Sequence, residues 1–435
     1  MKEGNLEAPK RAPIDWKNPE YYDQQSLEKE MERVFDACHG CRRCVSLCDS
    51  FPTLFDLIDE SDTFEVDGVD KGDYIKVVDE CFLCDLCAET KCPYLPPHEW
   101  AIDFPHLMLR AKAIKHESKK SRWRDKVLTS TDVTLGTASS PGIAPIVNKA
   151  LDSKTIRKVL DKSVGIHPEA PVPKFARATK TTSNSHVERE DTQDQLKVAI
   201  FATCYDKNTE SSLIEDLMAI FNHNAIHTKI IWDANCCGMP KLELGDLKQV
   251  ERAKNANLPH LIEAVNEGYQ IVSAIPSCVL MFKQELPLMF PEQQELTKIK
   301  DNFFDPFEYL MLHVKQEKIN LEFKHSLGKV SYHAACHQRV QNVGAKTREF
   351  LCLIPGSEVD MIERCSGHDG TYAVRSESYE KAMKIARPVQ RQVSEQNADY
   401  VGSDCPMAGR LITHNLDTVE ESVHPLTMVR HAYGI

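Results

Sequence analysis

The sequence predicts a multidomain protein. A helical domain built around two cysteine runs comes first, and a duplicated, Rossmann-like α/β unit follows it. Three observations carry this prediction. Two runs of four cysteines, Cys38 to Cys48 and Cys81 to Cys92, lie near the start of the chain. Six short apolar stretches further on each lead into a cysteine, and the last three repeat the first three. A region rich in Pro, Ser and Thr separates the two systems. The expected divisions are an N-terminal arm at 1–19, the helical domain at 20–125, a linker with short helices at 126–195, and α/β units at 196–325 and 326–435.

Bulk properties limit the classes of function. A chain of 435 residues with 42% apolar content is long enough for two or three packed domains. The net charge of −12 argues against nucleic acid as a partner. The opening "MKEGNLEAPKRAPIDW" has neither an apolar stretch nor a small-residue cleavage site. The apolar run "IVSAIPSCVLMF" is too short to span a bilayer and contains Pro276. A cytoplasmic protein is expected. In that compartment 16 cysteines point to metal binding or redox chemistry rather than to structural disulfides.

The helical domain is read from its ligand spacing. Cys38, Cys41, Cys44 and Cys48 are spaced C-x2-C-x2-C-x3-C. A zinc knot normally uses two separated C-x2-C pairs. Two consecutive C-x2-C steps instead set three thiolates on three corners of a cubane, and the fourth cysteine crosses to a second cluster. The second run supplies the counterpart: Cys81, Cys84, Cys87 and Cys92, with Pro93 after the last. The predicted sets are reciprocal. One 4Fe–4S cluster takes Cys38, Cys41, Cys44 and Cys92, and the other takes Cys81, Cys84, Cys87 and Cys48. A pair of zinc knots is the bland alternative. Leu27, Met31, Phe35 and Cys38 recur at helical spacing, so a helix is expected to deliver the first ligand. This is a two-cluster, ferredoxin-type helical domain.

The linker passages "LTSTDVTLGTASSPGIAP" and "HPEAPVPKFARATKTTSNSHVEREDTQDQ" suit an extended connection with no catalytic grouping, and "VNKALDSKTIRKVLDKS" suits one or two short helices. Just before it, "RAKAIKHESKKSRWR" is basic. It is either a solvated helix face or a surface for an acidic partner or an anionic membrane.

The α/β units are read from the repeat. "KVAIFATC", "HTKIIWDANCCG" and "YQIVSAIPSC" end at Cys204, Cys236–Cys237 and Cys278. "GKVSYHAAC", "SEVDMIERCSG" and "ADYVGSDC" end at Cys336, Cys365 and Cys405. Matching cysteines are 132, 129 and 127 residues apart, which indicates a duplicated strand–helix unit. A cysteine at the carboxyl end of each strand faces the crevice where open α/β sheets bind ligands. Four thiols in the first unit (Cys204, Cys236, Cys237, Cys278) can hold a third iron–sulfur cluster or zinc. The three in the second (Cys336, Cys365, Cys405) need another ligand, for which His333, His337 and His368 lie at hand. Both sets are weighed against ordinary buried thiols. Cys352 falls outside the repeat and is expected to be a small core residue.

On these motifs the chain resembles the iron–sulfur proteins typified by the C component of anaerobic glycerol-3-phosphate dehydrogenase. Glycolate and lactate oxidase iron–sulfur subunits and heterodisulfide reductases are relatives. The resemblance rests on both cysteine runs, "CCG" at Cys236 to Gly238, "YHAACH" at Tyr332 to His337, "ERCSGHDG" at Glu363 to Gly370, "SDCPMAG" at Ser403 to Gly409 and the ending "HPLTMVRHAYGI". It implies a two-cluster ferredoxin joined to two cysteine-rich CCG domains. A complete CCG unit in the family has five cysteines. Here Ile275, Ser366 and Gly402 stand at cysteine positions, so the second unit is degenerate. The implied role is electron transfer from a partner flavoprotein dehydrogenase, of glycerol-3-phosphate, glycolate or lactate type, to a quinone or other carrier. Peripheral association with the inner face of the membrane fits that role. No G-x-G-x-x-G follows a strand and no phosphate loop is present, so the chain is not expected to be a complete dehydrogenase. A rival reading is a disulfide or persulfide reductase working at the first CCG unit.

Overall fold

The computed structural model describes residues 10–178 and 195–435. Part of the N-terminal arm and the later part of the linker lie outside these residues. The helical region begins with α1 (Gln24–Cys41), capped by the Asp23 carboxylate, which accepts from the Ser26 amide. Leu27, Met31, Val34 and Phe35 are its buried stripe. The helix ends where Arg42 turns left-handed at φ 51°, which swings the chain from Cys41 into the Cys44 turn. Helices α2 (Ser50–Asp59), α3 (Tyr74–Asp79) and α4 (Phe104–Glu117) complete this part. Phe35, Phe51 and Phe104 form its aromatic centre, with the rings of Phe51 and Phe104 4.6 Å apart.

Four shorter helices follow in the linker: α5 (Trp123–Leu128), α6 (Thr131–Ala138), α7 (Ala144–Asp152) and α8 (Lys154–Val164). The two short helices expected after residue 144 are α7 and α8. The extended connection expected before them is instead helical.

The first sheet has strands β1 (Lys197–Phe201), β2 (His227–Ile231), β3 (Gln270–Val272) and β4 (Phe303–Phe304), in the order β2-β1-β3-β4. The second has β5 (Lys329–His333), β6 (Glu358–Ile362) and β7 (Tyr400–Ser403), in the order β6-β5-β7. Every pairing is parallel. Second strand, first strand, third strand is therefore the order in both units, as a duplication requires. Strands β1 and β5 are central and buried after their first residue, as expected of strands covered on both faces.

One apolar core runs from Ile14 and Phe35 through β1 and β3 to Tyr433. Phe82 packs against Tyr372 with ring centroids 4.7 Å apart, joining the helical region to the second unit. The N-terminal arm is a strap over the helical region and the first unit. The Ile14 amide donates to Leu288 O at 2.8 Å, and Trp16 Nε1 donates to Met289 O at 3.2 Å. Arg11 anchors it. Its guanidinium binds Asp103 through two hydrogen bonds of 2.8 Å and pairs with Asp85 at 2.6 Å, with its side chain 3% exposed. His106 bridges the same group, 3.1 Å from Asp103 and 3.3 Å from Glu285.

This buried network gives two expectations. Arg11→Ala leaves carboxylates unpaired in the interior and should cost about 3–5 kcal/mol, read as a loss of denaturation midpoint. The second concerns pH. Burial and Arg11 push His106 down, but Asp103 and Glu285 outweigh them and raise it from 6.5 to about 9. Its contribution is therefore complete below pH 6.5 and lost as pH rises through about 9. Burial raises Glu285, but His106 and Arg11 bring it down from 4.5 to about 2, so its share is lost as pH falls through about 2. Thermal melts of wild type against His106→Asn should converge at the alkaline end, with wild type ahead below pH 6.5. Parallel curves would show that His106 does not titrate with folding.

Candidate functional site

The cysteines fall into three neighbourhoods. Cys38, Cys41 and Cys44 share a small cavity with Cys92, walled by Phe51, Phe55, Ile102 and Pro93. Burial pushes the Cys38 thiol up, and Cys92, Cys44 and Cys41 push it further. Cys44 is raised to about 12, by burial and then by Cys92. The last cysteine of the second run thus stands with the first run. The converse also holds. Cys48 is raised by burial and then by Cys81, and Cys87 by burial and then by Cys84, Cys81 and Cys48. Cys44 also acts on Cys87, so the two groups adjoin.

The first α/β unit gathers Cys204, Cys236, Cys237 and Cys278 at the carboxyl end of its sheet. Cys204 opens the short helix α9 (Cys204–Asn208), whose Thr203 and Asp206 form a reciprocal cap. Cys236 and Cys237 precede α11 (Met239–Leu244), which begins after Gly238 at φ +100°, a backbone conformation that favours glycine. Cys278 lies in α13 (Pro276–Leu280). The thiols form a chain of sulfur contacts, Cys204 to Cys236 to Cys237 to Cys278. Cys236 is drawn well below the ordinary thiol value by hydrogen bonds from Cys204 and Cys237. Burial opposes this, while Thr131 and the Gly238 amide assist.

Two members of this group come from the linker, where no functional residue was expected. The Cys236 amide donates to both carboxylate oxygens of Asp132, at 3.0 and 2.9 Å. The buried Thr131 hydroxyl, without an oxygen or nitrogen partner, lies against the thiols of Cys204 and Cys236. Both residues begin α6. In the sequence they are one more Thr-Asp pair in a Ser/Thr-rich stretch, and no local signal marks them.

In the second unit Cys336, Cys365 and Cys405 stand together. Burial raises Cys336, and Cys365 and Cys405 raise it further. The backbone detail repeats. The Gly367 amide donates to Cys365 Sγ at 3.4 Å, as the Gly238 amide does to Cys236 Sγ at 3.5 Å. The three candidate histidines differ. His333 is not available as a ligand, because Ser403 Oγ at 3.0 Å and Arg364 O at 2.8 Å occupy its two nitrogens. His337 is hydrogen-bonded to the Leu83 backbone, and its buried Nε2 has no partner. Burial lowers His368 to about 4, so its ring is neutral. Cys352 is exposed, which corrects the expectation of a core thiol; it stands at the C-terminal cap of the short helix Lys346–Leu351.

The three neighbourhoods share one interior cavity of about 120 Å³. Its wall includes Cys48 and Cys84 of the helical region, all four cysteines of the first unit and all three of the second. Cys84 is raised by burial and then by Cys336, Cys48 and Cys365, so the helical region meets the second unit directly. Apolar groups, among them Leu47, Phe82, Leu86, Met239 and Met407, fill the rest of the wall. Among the described residues, no three His, Cys, Asp or Glu side chains form a single-ion site. The donors present are soft thiols, in sets of four apart from the three of the second unit, and they suit iron–sulfur clusters, whose cysteines each bind a different iron.

Comparison with known proteins agrees with this composition. A family model described as a CCG cysteine-rich domain matches residues 198–283 and 330–408. The chain is 27% identical over 328 residues to the C component of the anaerobic glycerol-3-phosphate dehydrogenase of Escherichia coli, covering 75% of this chain and 81% of that protein. It is 26% identical over 219 residues to lactate utilization protein A of Bacillus cytotoxicus, covering 48% of this chain and 87% of that protein.

The degenerate second unit has a steric explanation at one position. A Cβ on Gly402 would sit 2.1 Å from Val423 O and 2.6 Å from Met428 Cε. Gly402→Cys, which restores the five-cysteine pattern there, should destabilise by about 1–3 kcal/mol and add no metal. Ser366→Cys replaces a nearly buried side chain by one of similar size and should cost less than about 1.5 kcal/mol. Melting temperatures and metal content of the two variants check the contrast.

Proposed function

We propose that the chain, which carries two CCG cysteine-rich domains and is similar to iron–sulfur subunits that have them, is the electron-transfer subunit of a dehydrogenase complex. It takes electrons from a separate flavoprotein dehydrogenase of glycerol-3-phosphate, glycolate or lactate type and passes them to a quinone or other carrier. The observation that carries this reading is the unbroken line of cysteine groups: Cys44 beside Cys87, then Cys48 and Cys84 beside Cys336 and Cys365. Cys38, Cys41, Cys44 and Cys92 would hold one 4Fe–4S cluster, and Cys81, Cys84, Cys87 and Cys48 the other. Cys204, Cys236, Cys237 and Cys278 would hold a third cluster or zinc. When bound, these groups supply one-electron carriers close enough to exchange electrons in sequence.

The chain's own residues define the two ends of the line. At the entry end, Arg42, Arg43 and Val45 are exposed beside Cys41 and Cys44, a face for the donor protein. At the other end, the line reaches Cys336, Cys365 and Cys405 on the wall of the central cavity, where the acceptor would take the electrons. Among the described residues no helix is long and apolar enough to cross a membrane. The linker helices supply a means of peripheral attachment instead. Trp123, Val133, Ile146 and Val159 are exposed at 63, 67, 70 and 58%, interspersed with the exposed Lys126, Lys149, Lys154, Lys158 and Lys162. An exposed apolar face with a basic rim binds anionic bilayer surfaces. The basic segment before α5 contributes little to it. Arg110 is bonded to Tyr21 O and Glu20 O, Lys115 to Asp79, and Arg124 to Glu377.

A second reading, reduction of a disulfide or persulfide, is favoured by the low-lying Cys236 thiol, since a thiolate is the reactive form. Disulfide-dependent reoxidation of the reduced protein would support it.

The test is iron, acid-labile sulfide and zinc per chain on anaerobically purified protein, with EPR after reduction. About 8 irons correspond to two clusters and about 12 to three. Cys41→Ser should remove one ferredoxin-type signal, whereas Cys236→Ser should leave both. Loss of both signals in Cys236→Ser would overturn the assignment of separate ligand sets.

A further inference from the structure

The linker helix α6 is tied at both ends to the cysteine loops of the first unit. At its start, the Asp132 carboxylate accepts from the Cys236 amide at 3.0 and 2.9 Å. At its end, the buried Ser139 hydroxyl donates to Asn208 Oδ1 at 2.6 Å, and Asn208 Nδ2 donates to Cys204 O at 2.7 Å. Lys241 of α11 holds the turn before α6, donating to Ser130 Oγ at 2.8 Å and to Thr129 Oγ1 at 3.1 Å. Asn257 fixes the Cys236 loop in turn. It accepts from the Asn235 amide at 2.8 Å and donates to Cys236 O at 3.1 Å.

Between these ties lies Thr131, the buried first residue of α6. It lines one groove together with Asp132, Cys236 and Gly238. Its hydroxyl does not cap the helix, since the N-cap position is Ser130. It has no oxygen or nitrogen partner and lies against the thiols of Cys204 and Cys236. A buried hydroxyl without a partner is costly, so its place calls for an acceptor. Metal-bound thiolate sulfur is such an acceptor, and the ties on α6 hold the hydroxyl beside two of them.

We infer that Thr131 raises the reduction potential of an iron–sulfur cluster held by Cys204, Cys236, Cys237 and Cys278, by donating its hydroxyl to a cysteine sulfur of that cluster. The inference rests on the electron-transfer reading above and commits it to a cluster rather than zinc in the first unit. One electron arrives along the cysteine line from the partner flavoprotein, and the added negative charge spreads onto sulfur. A donor at sulfur binds the reduced form more strongly than the oxidised one, so the potential rises. The hydroxyl keeps its proton throughout. The Gly238 amide, 3.5 Å from Cys236 Sγ, acts in the same sense. Thr131 is thus a positioning residue supplied by a segment outside the α/β units.

The test is an EPR-monitored redox titration of the full chain with its native metal content, with iron and zinc counted on the same samples. Thr131→Val keeps the size of the side chain and removes only the hydroxyl. It should lower the midpoint of the third cluster by about 59 mV, a roughly tenfold change in the ratio of reduced to oxidised protein for a one-electron couple. The two ferredoxin-type signals should keep their midpoints, and Thr131→Ser should restore the third. The melting temperature of Thr131→Val should not fall, because the hydroxyl makes no bond to oxygen or nitrogen. An unchanged third midpoint in Thr131→Val would overturn the inference. So would equal shifts in the Val and Ser variants, which mark a packing effect. About 8 irons per chain, or zinc in the first unit, would sink the inference and leave electron transfer through two clusters standing. Absence of the ferredoxin-type signals from wild type would bring down the electron-transfer reading and this inference together.

Discussion

Parallel strand pairing is the constraint on which the rest of the molecule depends. A parallel neighbour is reached only by a crossover that returns to the same starting edge, so every strand of a unit ends on one side. A cysteine placed just beyond each strand therefore meets the others without any further device. In the first unit Cys204, Cys236 and Cys278 follow β1, β2 and β3 in this way. In the second unit Cys336, Cys365 and Cys405 follow β5, β6 and β7. The two carboxyl edges then face one another across a single cavity, and the helical region closes it with Cys48 and Cys84. Buried thiols with few other polar partners are costly as thiolates, which is why most are held up by burial. Cys236 is the exception, because other thiols and a glycine amide donate to it.

The parts that hold this arrangement are drawn from all over the chain. Arg11 binds acids from the helical region and from the first unit, so the strap at the start of the chain fixes how those two bodies meet. Glu80 accepts from Tyr372 and pairs with Lys381, doing the same between the helical region and the second unit. The linker is part of the site as well. Its helix α6 sets Thr131 and Asp132 over Cys236, so a segment with the composition of a connector shapes the environment of that thiol.

The duplication is unequal for physical reasons. Gly402 cannot carry a side chain while Val423 O and Met428 occupy the space, and His333 cannot serve as a substitute ligand while its nitrogens bond to Ser403 and Arg364. The second unit keeps the backbone features of the first, including the glycine amide directed at sulfur. It retains the architecture of a four-thiol group with three of the thiols.

The sequence by itself determined whatever depends on local spacing. Cysteine intervals of three, four and five predicted the crossed groups, strand-sized apolar runs predicted parallel sheets, and offsets of 127 to 132 predicted the duplication. Each of these is a property of neighbours along the chain, where periodicity and ligand geometry apply directly. The tertiary structure alone decided which separate segments share a surface. It set Thr131 and Asp132 against Cys236, brought Cys84 to Cys336, and exposed Cys352. The partners in these meetings are separated by 104 positions at the least, with no repeated interval. Their meeting follows from how the helical region packs on two sheets, and that packing is a sum over the whole core rather than a pattern in any one segment.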